Sequence, residues 1–283
     1  MLQKDIGFVI MIEPGDLEWQ GIVLISSIKA FCRDSYNIYV YCREDKANNL
    51  KKETIDFLSR NSVVFNTIFN DYVDGDPIGN KIIASAQKRD EKVSIFLDTD
   101  TAFLKEVCYM DVIDENKVSC VVAGGETWTK NKEDWVSLYK AANIPQPTEK
   151  VKLKNNVISF PYFNAGFVCF PNKSKFSEHW LELSKKIDQL GEVKNKRPWL
   201  DQVTLPLAIK SCNLKFKELD LIYNQDGNNP NPLDPYTVLV HYHHSMHVYK
   251  KGLNKIFSTL LAEYSPFSNF YELHNFYKVK SSI

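Results

Sequence analysis

The sequence Val93-Ser94-Ile95-Phe96-Leu97-Asp98-Thr99-Asp100 joins an apolar run to two acidic residues. The run Val93–Leu97 has the length and the continuous apolar pattern that predict a strand buried on both faces. In open α/β sheets, ligands bind beyond the carboxyl ends of the strands. The sequence therefore predicts a strand of a parallel sheet, with a binding site at the end of that strand, where Asp98 and Asp100 lie.

Strand-like and helix-like segments alternate upstream of this stretch. The apolar runs that predict strands cover residues 6–12, 36–41 and 63–69. The segments with apolar residues at helical spacing cover residues 17–31, 50–58 and 78–86. Such alternation is typical of the α/β class, in which right-handed crossovers connect a mainly parallel sheet and helices flank it.

The alternation is looser downstream of Asp100. Residues 118–123 and 163–170 have the apolar character of strands. Residues 176–190 have the spacing of an amphipathic helix, which predicts that Trp180 packs in the core and binds no ligand. The polar stretch 127–156 is predicted to be rich in loops.

The composition limits the classes of partner. Thirty-five basic residues balance thirty-five acidic ones in a chain of 283 residues, so no net charge draws the protein to nucleic acid or to an anionic membrane. No apolar run approaches the roughly 20 residues that cross a bilayer, and the amino terminus lacks the pattern of an export signal. Six cysteines without CxxC spacing fit a reducing compartment. We therefore expect a cytoplasmic protein without a transmembrane segment or a nucleic-acid partner.

Asp98 and Asp100 are candidate metal ligands. Two carboxylates held about 5 Å apart repel each other by about 3 kcal/mol at an effective dielectric constant near 20, and a divalent cation between them makes the interaction favourable. Mg²⁺ and Mn²⁺ prefer hard oxygen ligands, often a couple of carboxylates together with phosphate oxygens. The pair therefore predicts a site for Mg²⁺ or Mn²⁺ that carries a diphosphate, with a solvated turn as the ordinary alternative.

A second group of candidate ligands follows the apolar run 237–240. The chain continues as His241-Tyr242-His243-His244, and His247 comes shortly after. Histidine is a common metal ligand, and a cluster at the end of a strand favours metal contact by at least one of its rings. Strand alternation places His241 and His243 on one face and His244 on the other, so one ion cannot bind every ring. The sequence does not assign roles to His243, His244 and His247.

Several short motifs follow one another over most of the chain. They are the first strand with its helix, Asn80-Lys81, Phe96-Leu97-Asp98-Thr99-Asp100, Phe163-Asn164-Ala165-Gly166, Trp199-Leu200-Asp201-Gln202, Leu221-Ile222-Tyr223-Asn224-Gln225 and Val240-His241-Tyr242. Each motif is weak by itself, but their joint order and spacing resemble glycosyltransferase family 8. That family has the GT-A fold and includes glycogenin and bacterial lipopolysaccharide galactosyltransferases.

The resemblance implies a single GT-A catalytic domain over residues 1–283, with a nucleotide-binding half at 1–123 and an acceptor-binding and sugar-binding half at 124–283. It implies transfer of a sugar from a nucleotide-diphosphate donor, with a uridine diphosphate (UDP) sugar favoured, to an unknown glycan, lipid-linked or protein acceptor. The resemblance also implies a Mn²⁺ or Mg²⁺ cofactor and retention of anomeric configuration. An inverting enzyme would need a carboxylate base on the acceptor hydroxyl, and Asp201 or Glu126 would then be the candidates.

The resemblance also implies roles for single residues on the nucleotide side of the donor. Asp98, Asp100 and His241 would hold the metal ion, and Asp98 would also lie near the ribose. Lys81 would lie near the nucleotide or its phosphates.

On the sugar side, the resemblance implies that Asn164, Asp201 and Gln202 face the donor sugar. Asp201 would bind sugar hydroxyls, and Gln202 would lie close to the anomeric carbon, which makes these two the implied catalytic residues. The ordinary alternatives are a turn at Asn164-Ala165-Gly166 and a helix start at Asp201-Gln202.

One motif departs from the family. The family usually follows its histidine with a Gly-x-x-Lys-Pro-Trp stretch that binds the diphosphate, whereas residues 242–252 read Tyr-His-His-Ser-Met-His-Val-Tyr-Lys-Lys-Gly. His244, His247 and Lys250 are the candidates to replace that stretch, and Lys250 with Lys251 is otherwise a solvated basic pair. The sequence does not choose among them.

Three other functions fit parts of the pattern. A catalytically silent protein on the same fold would bind a nucleotide sugar or a glycan, but the intact Asp98, Asp100 and His241 argue against it. A nucleotidyltransferase would favour a basic, glycine-rich first loop, whereas Glu13-Pro14-Gly15-Asp16 is acidic. A zinc hydrolase built on the histidines would leave Asp98-Thr99-Asp100 unexplained.

Overall fold

The computed structural model describes residues 5–33 and 35–278. The strands in these residues are β1 (Ile6–Met11), β2 (Tyr36–Arg43), β3 (Val64–Ile68), β4 (Val93–Leu97), β5 (Thr101–Phe103), β6 (Lys117–Val122), β7 (Val151–Lys152), β8 (Ile158–Ser159), β9 (Phe163–Pro171), β10 (Lys215–Glu218), β11 (Gln225–Asp226) and β12 (Leu239–His241). The α-helices in the same residues are α1 (Asp16–Phe31), α2 (Glu44–Ala47), α3 (Lys52–Arg60), α4 (Pro77–Ala86), α5 (Tyr109–Val112), α6 (Lys132–Ala142), α7 (Phe176–Gln189), α8 (Leu200–Ser211), α9 (Ser245–Lys250), α10 (Leu253–Tyr264) and α11 (Phe270–Lys278). Single 3₁₀ turns lie at Val73–Gly75, Asn172–Ser174 and Leu221–Tyr223.

The chain forms two compact units, and each unit is assembled from separate parts of the sequence. The first unit takes its described residues from Met1–Phe69, Leu97–Tyr109 and Asp220–Ile283. In this unit β1, β2 and β3 pair side by side in parallel, with Ile6 opposite Tyr36 and Tyr39 opposite Val64. Every residue of β1 is buried, which accounts for its continuous apolar sequence.

A small second sheet in the first unit brings the acidic and histidine motifs together. Strand β12 runs antiparallel to β5, with His241 opposite Thr101, and parallel to β11, with His241 opposite Asp226. The amide of Tyr242 donates to the carbonyl of Asp100 at 3.0 Å, so the pairing continues just past the end of β12. His241 and Asp226 therefore stand on hydrogen-bonded strands, and Asp98 and Asp100 lie in the short turn between β4 and β5.

An aromatic cluster fixes the chain just after His241. The side chain of Tyr242 is fully buried and stacks on Trp19 of α1, with ring centroids 5.9 Å apart. Trp19 also meets the ring of Phe270 edge to face at 5.6 Å, and Phe257 packs against Tyr242 at 5.5 Å. Such ring pairs contribute about 0.5–1.5 kcal/mol each beyond their buried area, so this core holds β12 against α1, α10 and α11.

The second unit comprises Asn70–Phe96 and Met110–Leu219. Its strands lie in the order β10, β6, β9 and β4, with β10 parallel to β6 and β9 antiparallel to β6. Helices α7 and α8 pack together in this unit, and the fully buried Trp180 of α7 donates from Nε1 to Oγ1 of Thr204 in α8 at 3.1 Å. The predicted core position of Trp180 is confirmed.

The predicted α/β class, with a mainly parallel sheet flanked by helices, is confirmed. The predicted strands at 6–12, 36–41 and 63–69 are β1, β2 and β3, and the predicted helices at 17–31, 50–58 and 78–86 are α1, α3 and α4, with ends shifted by at most two residues. The division of one domain into halves at residue 123 stays a prediction.

The prediction that residues 127–156 are rich in loops missed a helix, because α6 occupies Lys132–Ala142. Trp135, Leu138, Tyr139 and Ala142 are buried along one side of this helix, at the spacing that a helix requires. Asn131 caps the helix start by accepting from the amide of Glu133 at 3.0 Å. The polar composition of the stretch hid a helical periodicity of four apolar residues.

A membrane-spanning helix is not found in the described part of the chain, where every helix is too short or too polar to cross a bilayer.

Candidate metal and donor sites

The turn after β4 directs both acidic side chains the same way. The hydroxyl of Thr99, which is buried, donates to the carbonyl of Met11 in β1. Thr101 closes the turn by donating to the carbonyl of Asp98 from its amide at 3.1 Å and from its hydroxyl at 2.7 Å. With Thr99 held inward, the carboxylates of Asp98 and Asp100 on either side remain partly exposed, and each can bind a ligand.

His241 lies against these carboxylates because β12 pairs with β5. Its Nε2 is 3.0 Å from Oδ1 of Asp100 and 4.0 Å from Oδ2 of Asp98. The His241 side chain is 8% exposed, so its ring position is fixed by packing. The structure therefore brings together the three residues for which the resemblance implies a role in holding metal.

His243 joins the group through an unusual turn. The amide of His244 donates to the carbonyl of Tyr242 at 2.6 Å, which closes a three-residue γ-turn, and His243 at its centre has a φ of 59°. The turn folds the His243 ring onto the His241 ring, with centroids 4.0 Å apart. Nδ1 of His243 lies 3.8 Å from Oδ2 of Asp100, and Nε2 lies 3.0 Å from Oδ1 of Asp226.

The donor set of this cluster fits a divalent transition-metal ion. One ligand atom each from Asp100, His241 and His243 lie within 4.8 Å of one another. Burial acts to raise the pKa of Asp100, but the charges and hydrogen bond of His241 and the charge of His243 outweigh burial and hold the pKa below its usual value. Asp100 is therefore ionised at neutral pH, and carboxylate oxygens next to imidazole nitrogens are suitable ligands for such an ion.

In the second unit, Lys81 of α4 and Asp201 of α8 form a buried ion pair. Nζ of Lys81 is 2.7 Å from Oδ2 of Asp201, and the two side chains are 13% and 4% exposed. Within the described residues, Oδ1 of Asp201 is buried and has no hydrogen-bond partner. A buried acceptor left unpaired costs about 1–3 kcal/mol, so a side-chain movement that exposed Oδ1 to a hydroxyl of a bound molecule would recover that cost.

Gln202 and Asn164 also belong to the second unit. Gln202 follows Asp201 in the first turn of α8 and is half-buried. Asn164 is the second residue of β9, and its Oδ1 accepts from the amide of Gly166 at 2.7 Å. That bond makes Asn164-Ala165-Gly166 an Asx turn, which is the ordinary role foreseen for it. The roles of Asn164 and Gln202 toward a donor stay predictions.

The basic residues from His244 to Lys251 differ in their surroundings. His247 is buried, and its Nδ1 lies 2.9 Å from the carbonyl of Tyr242, so it supports the turn. Nζ of Lys251 donates to the carbonyl of Asn229 at 2.5 Å. His244 and Lys250 are exposed. Of the candidates to replace the missing diphosphate-binding stretch, His244 and Lys250 are thus the accessible ones.

Two features of the site were not foreseen from the sequence. Asp226 was not singled out, although it lies in a turn-rich segment that precedes β12, and the role of His243 was left open. Asp226 approaches His243 because β11 pairs with β12, and no local sequence pattern reports that pairing.

Comparisons with known proteins place the chain among sugar-transferring enzymes. A family model described as the Rhodobacterales glycosyltransferase domain matches residues 8–213. No curated protein sequence matches the chain.

Solved structures with the same fold match nearly the whole chain at low sequence identity. The apo structure of the bifunctional glycosyltransferase WbbM has a TM-score of 0.62 and 16% identity and covers 97% of this chain, which spans 52% of the WbbM chain. The galactosyltransferase LgtC, in complex with donor and acceptor sugar analogues, has a TM-score of 0.61 and 13% identity over 91% of this chain and 95% of its own. The glycosyltransferase GlyE of Streptococcus pneumoniae has a TM-score of 0.57 and 15% identity over 99% of this chain and 64% of its own. The predicted GT-A fold is confirmed.

Proposed function

Because the chain belongs to the Rhodobacterales glycosyltransferase domain family, we propose that it transfers a sugar from a nucleotide-diphosphate donor with the help of a divalent metal ion. A UDP-sugar is the favoured donor, and the acceptor is a glycan, a lipid-linked sugar or a protein. Mn²⁺ or Mg²⁺ is the proposed ion. The observation that carries the proposal is the cluster of Asp98, Asp100 and His241 at the end of β4.

Asp98, Asp100 and His241 are the proposed protein ligands of the ion. When bound, the ion supplies positive charge that stabilises the diphosphate leaving group without proton transfer. The chain's own contribution is to hold the ligands in place before the donor arrives. Thr99 anchors the turn on β1, and the pairing of β12 with β5 sets His241 against Asp100. Because His241 stands on a paired strand and the two aspartates lie in a short, hydrogen-bonded turn, little order has to be gained when the donor binds.

Asp201 is the proposed acceptor of hydrogen bonds from the donor sugar. Lys81 neutralises one of its carboxylate oxygens and leaves the other buried without a partner within the described residues. A sugar hydroxyl would donate a hydrogen bond to Oδ1 of Asp201. A donor that lacks this hydroxyl would leave Oδ1 without a partner and would bind more weakly. Gln202 next to it is the proposed neighbour of the anomeric carbon. Asn164 is proposed to face the same sugar, and Lys81 to lie close to the nucleotide end of the donor.

We propose retention of anomeric configuration. Inversion requires a carboxylate that accepts the proton of the acceptor hydroxyl. Asp201 is a poor candidate for such a base, because Lys81 occupies its Oδ2 in a buried ion pair. Glu126 is half-buried and would be the remaining candidate for an inverting reaction.

Lys250 is the proposed cation for the leaving diphosphate, because it is exposed on α9 a short way along the chain from the histidine motif. A missing diphosphate-binding stretch is also the one observation that favours a silent protein, which would bind a nucleotide sugar without turnover. The two functions differ in whether the sugar is released from the bound donor.

A thermal shift experiment tests the proposed site. UDP and Mn²⁺ together should raise the unfolding temperature of the wild type more than either alone, since ligands that bind only the folded state stabilise it. Asp100→Ala should lose that joint effect. A wild type that shows no shift with uridine, guanosine or cytidine diphosphates plus metal would overturn the proposed donor class.

A further inference from the structure

The pair formed by His243 and Asp226 is not used by the proposed metal set of Asp98, Asp100 and His241. We propose that His243, oriented by Asp226, is a further ligand of the divalent ion and that it makes the site prefer Mn²⁺ over Mg²⁺. The inference rests on the proposed metal site and adds to it a residue that determines which ion is bound.

The hydrogen bond to Asp226 leaves the other ring nitrogen of His243 free for metal. Nε2 of His243 donates to Oδ1 of Asp226 at 3.0 Å, which places the proton on Nε2 and the lone pair on Nδ1. Nδ1 is the atom that faces Asp100, at 3.8 Å from its Oδ2. Histidines that bind metal almost always donate their second ring N–H to a carboxylate, a carbonyl or water, and this fixes both tautomer and ring orientation.

The backbone of His243 is held in a conformation that costs energy. A φ of 59° lies in the left-handed region, which costs a residue with a Cβ about 1–2 kcal/mol. Residues kept in such conformations cluster at functional sites, where the surrounding structure holds them. Here the turn brings the two imidazole rings to a centroid separation of 4.0 Å on the same side as Asp100. The strained backbone of His243 therefore places a second ring nitrogen beside Asp100 and His241.

The segment after β11 is built to keep Asp226 beside this turn. The amide of Gly227 donates to the carbonyl of His241 at 2.8 Å. A Cβ at position 227 would lie 3.0 Å from Cα of Tyr242 and 3.1 Å from the carbonyl oxygen of His241, so glycine allows this close approach without displacing the neighbouring backbone. Asp226 is further oriented by accepting from the amide of Asn228 at 2.8 Å.

A second imidazole changes the ion that the site prefers. Both ions favour oxygen ligands, but Mg²⁺ demands near-ideal octahedral geometry and gives up its waters reluctantly, whereas Mn²⁺ is a transition-metal ion that accepts imidazole nitrogen more readily. With only His241 as nitrogen donor, the set is mostly oxygen. With His243 added, two nitrogens stand beside the carboxylates of Asp98 and Asp100, and binding of Mn²⁺ gains relative to binding of Mg²⁺.

Calorimetric titration of the metal-free protein with Mn²⁺ and, separately, with Mg²⁺ measures this preference. The variants are His243→Ala, Asp226→Asn and Asp100→Ala, and His179→Ala in α7 is the control for loss of a histidine elsewhere. We expect Asp226→Asn to weaken Mn²⁺ binding by up to about 10- to 100-fold, the typical cost of losing a residue that orients a ligand, and His243→Ala to weaken it at least as much, with a much smaller effect of both on Mg²⁺ binding. His179→Ala should bind both ions as the wild type does.

Electron spin-echo spectroscopy of bound Mn²⁺ separates a ligand from a structural residue. The wild type should show modulation from two directly bound imidazole nitrogens, and His243→Ala should show modulation from one. Unchanged Mn²⁺ affinity in His243→Ala, or modulation from a single nitrogen in the wild type, would overturn the role of His243 while the metal site itself stands. Unchanged Mn²⁺ affinity in Asp100→Ala would instead refute the proposed metal site.

Discussion

Replacing Lys81 by Met should destabilise the protein strongly, because it leaves the carboxylate of Asp201 buried without its cation. Nζ of Lys81 is 2.7 Å from Oδ2 of Asp201, and the Asp201 side chain is only 4% exposed, so water cannot take the place of the ammonium group. Removing one partner of a buried ion pair costs about 3–5 kcal/mol. Met keeps the length of the side chain and packs well beside Phe96, whose ring centroid is 5.5 Å from Nζ in the wild type.

Two further variants isolate the buried charge as the cause. The double variant Lys81→Met/Asp201→Leu removes both charges and should recover most of the loss, since apolar residues of similar volume replace buried ion pairs at little cost. Lys185→Met is the matched control, because Lys185 pairs with Asp71 at 2.6 Å while the two side chains are 32% and 47% exposed. That exposed pair should contribute less than about 1 kcal/mol.

The assay is urea unfolding followed by tryptophan fluorescence, with the change in unfolding free energy taken from the shift in midpoint. The reasoning is refuted if Lys81→Met costs no more than Lys185→Met, or if the double variant is as unstable as the single one. In either case the ammonium group of Lys81 would not be what stabilises the buried carboxylate of Asp201. The proposal that Oδ1 of Asp201 accepts a hydrogen bond from the donor sugar would then lose its support.

Three other predictions concern the metal site. Thr99→Val removes the hydrogen bond to Met11, so it should lower the unfolding free energy in urea by about 1 kcal/mol and weaken Mn²⁺ binding in a calorimetric titration. Wild-type values for both quantities would show that the turn needs no anchor. Gly227→Ala should weaken Mn²⁺ binding in the same titration, because its Cβ would press on the Tyr242 backbone, and unchanged affinity would show that the segment can yield. Asp100 has a lowered pKa, so its contribution to stability in metal-free protein is present above the unfolded value of 3.8 and is lost as pH falls through the folded value. The difference in unfolding free energy between the wild type and Asp100→Asn should therefore shrink as pH falls below about 4, and a difference that does not shrink there would contradict the assignment.

Patterns of neighbouring residues were sufficient to predict most of the strands and helices in the first part of the chain. The run of six buried residues in β1 and the helical spacing in α1 and α4 are readable from neighbours in sequence. In α6 the signal was also present, as buried residues from Trp135 to Ala142 with an Asn131 cap, but polar residues between them concealed it. The pairing of β12 with both β5 and β11 joins segments far apart in sequence, and no local pattern encodes it.

The same distinction separates the site residues that could be predicted from those that could not. Asp98 and Asp100 were noticed because they follow a buried strand, and His241 because it ends another. Asp226 became relevant only through the strand pairing and the left-handed turn at His243, which place an imidazole between two carboxylates. The unpaired oxygen of Asp201 likewise depends on Lys81, which lies 120 residues earlier in the chain.

Release of UDP from a panel of UDP-sugars, measured for the wild type and Asp100→Ala with Mn²⁺ and with a chelator, tests the central claim most directly. A metal-dependent glycosyltransferase should release UDP from at least one sugar donor only when Mn²⁺ is present, and Asp100→Ala should not release it. Release that is equally fast in chelator, or equally fast in Asp100→Ala, would contradict the claim that the ion held at the end of β4 stabilises the leaving diphosphate.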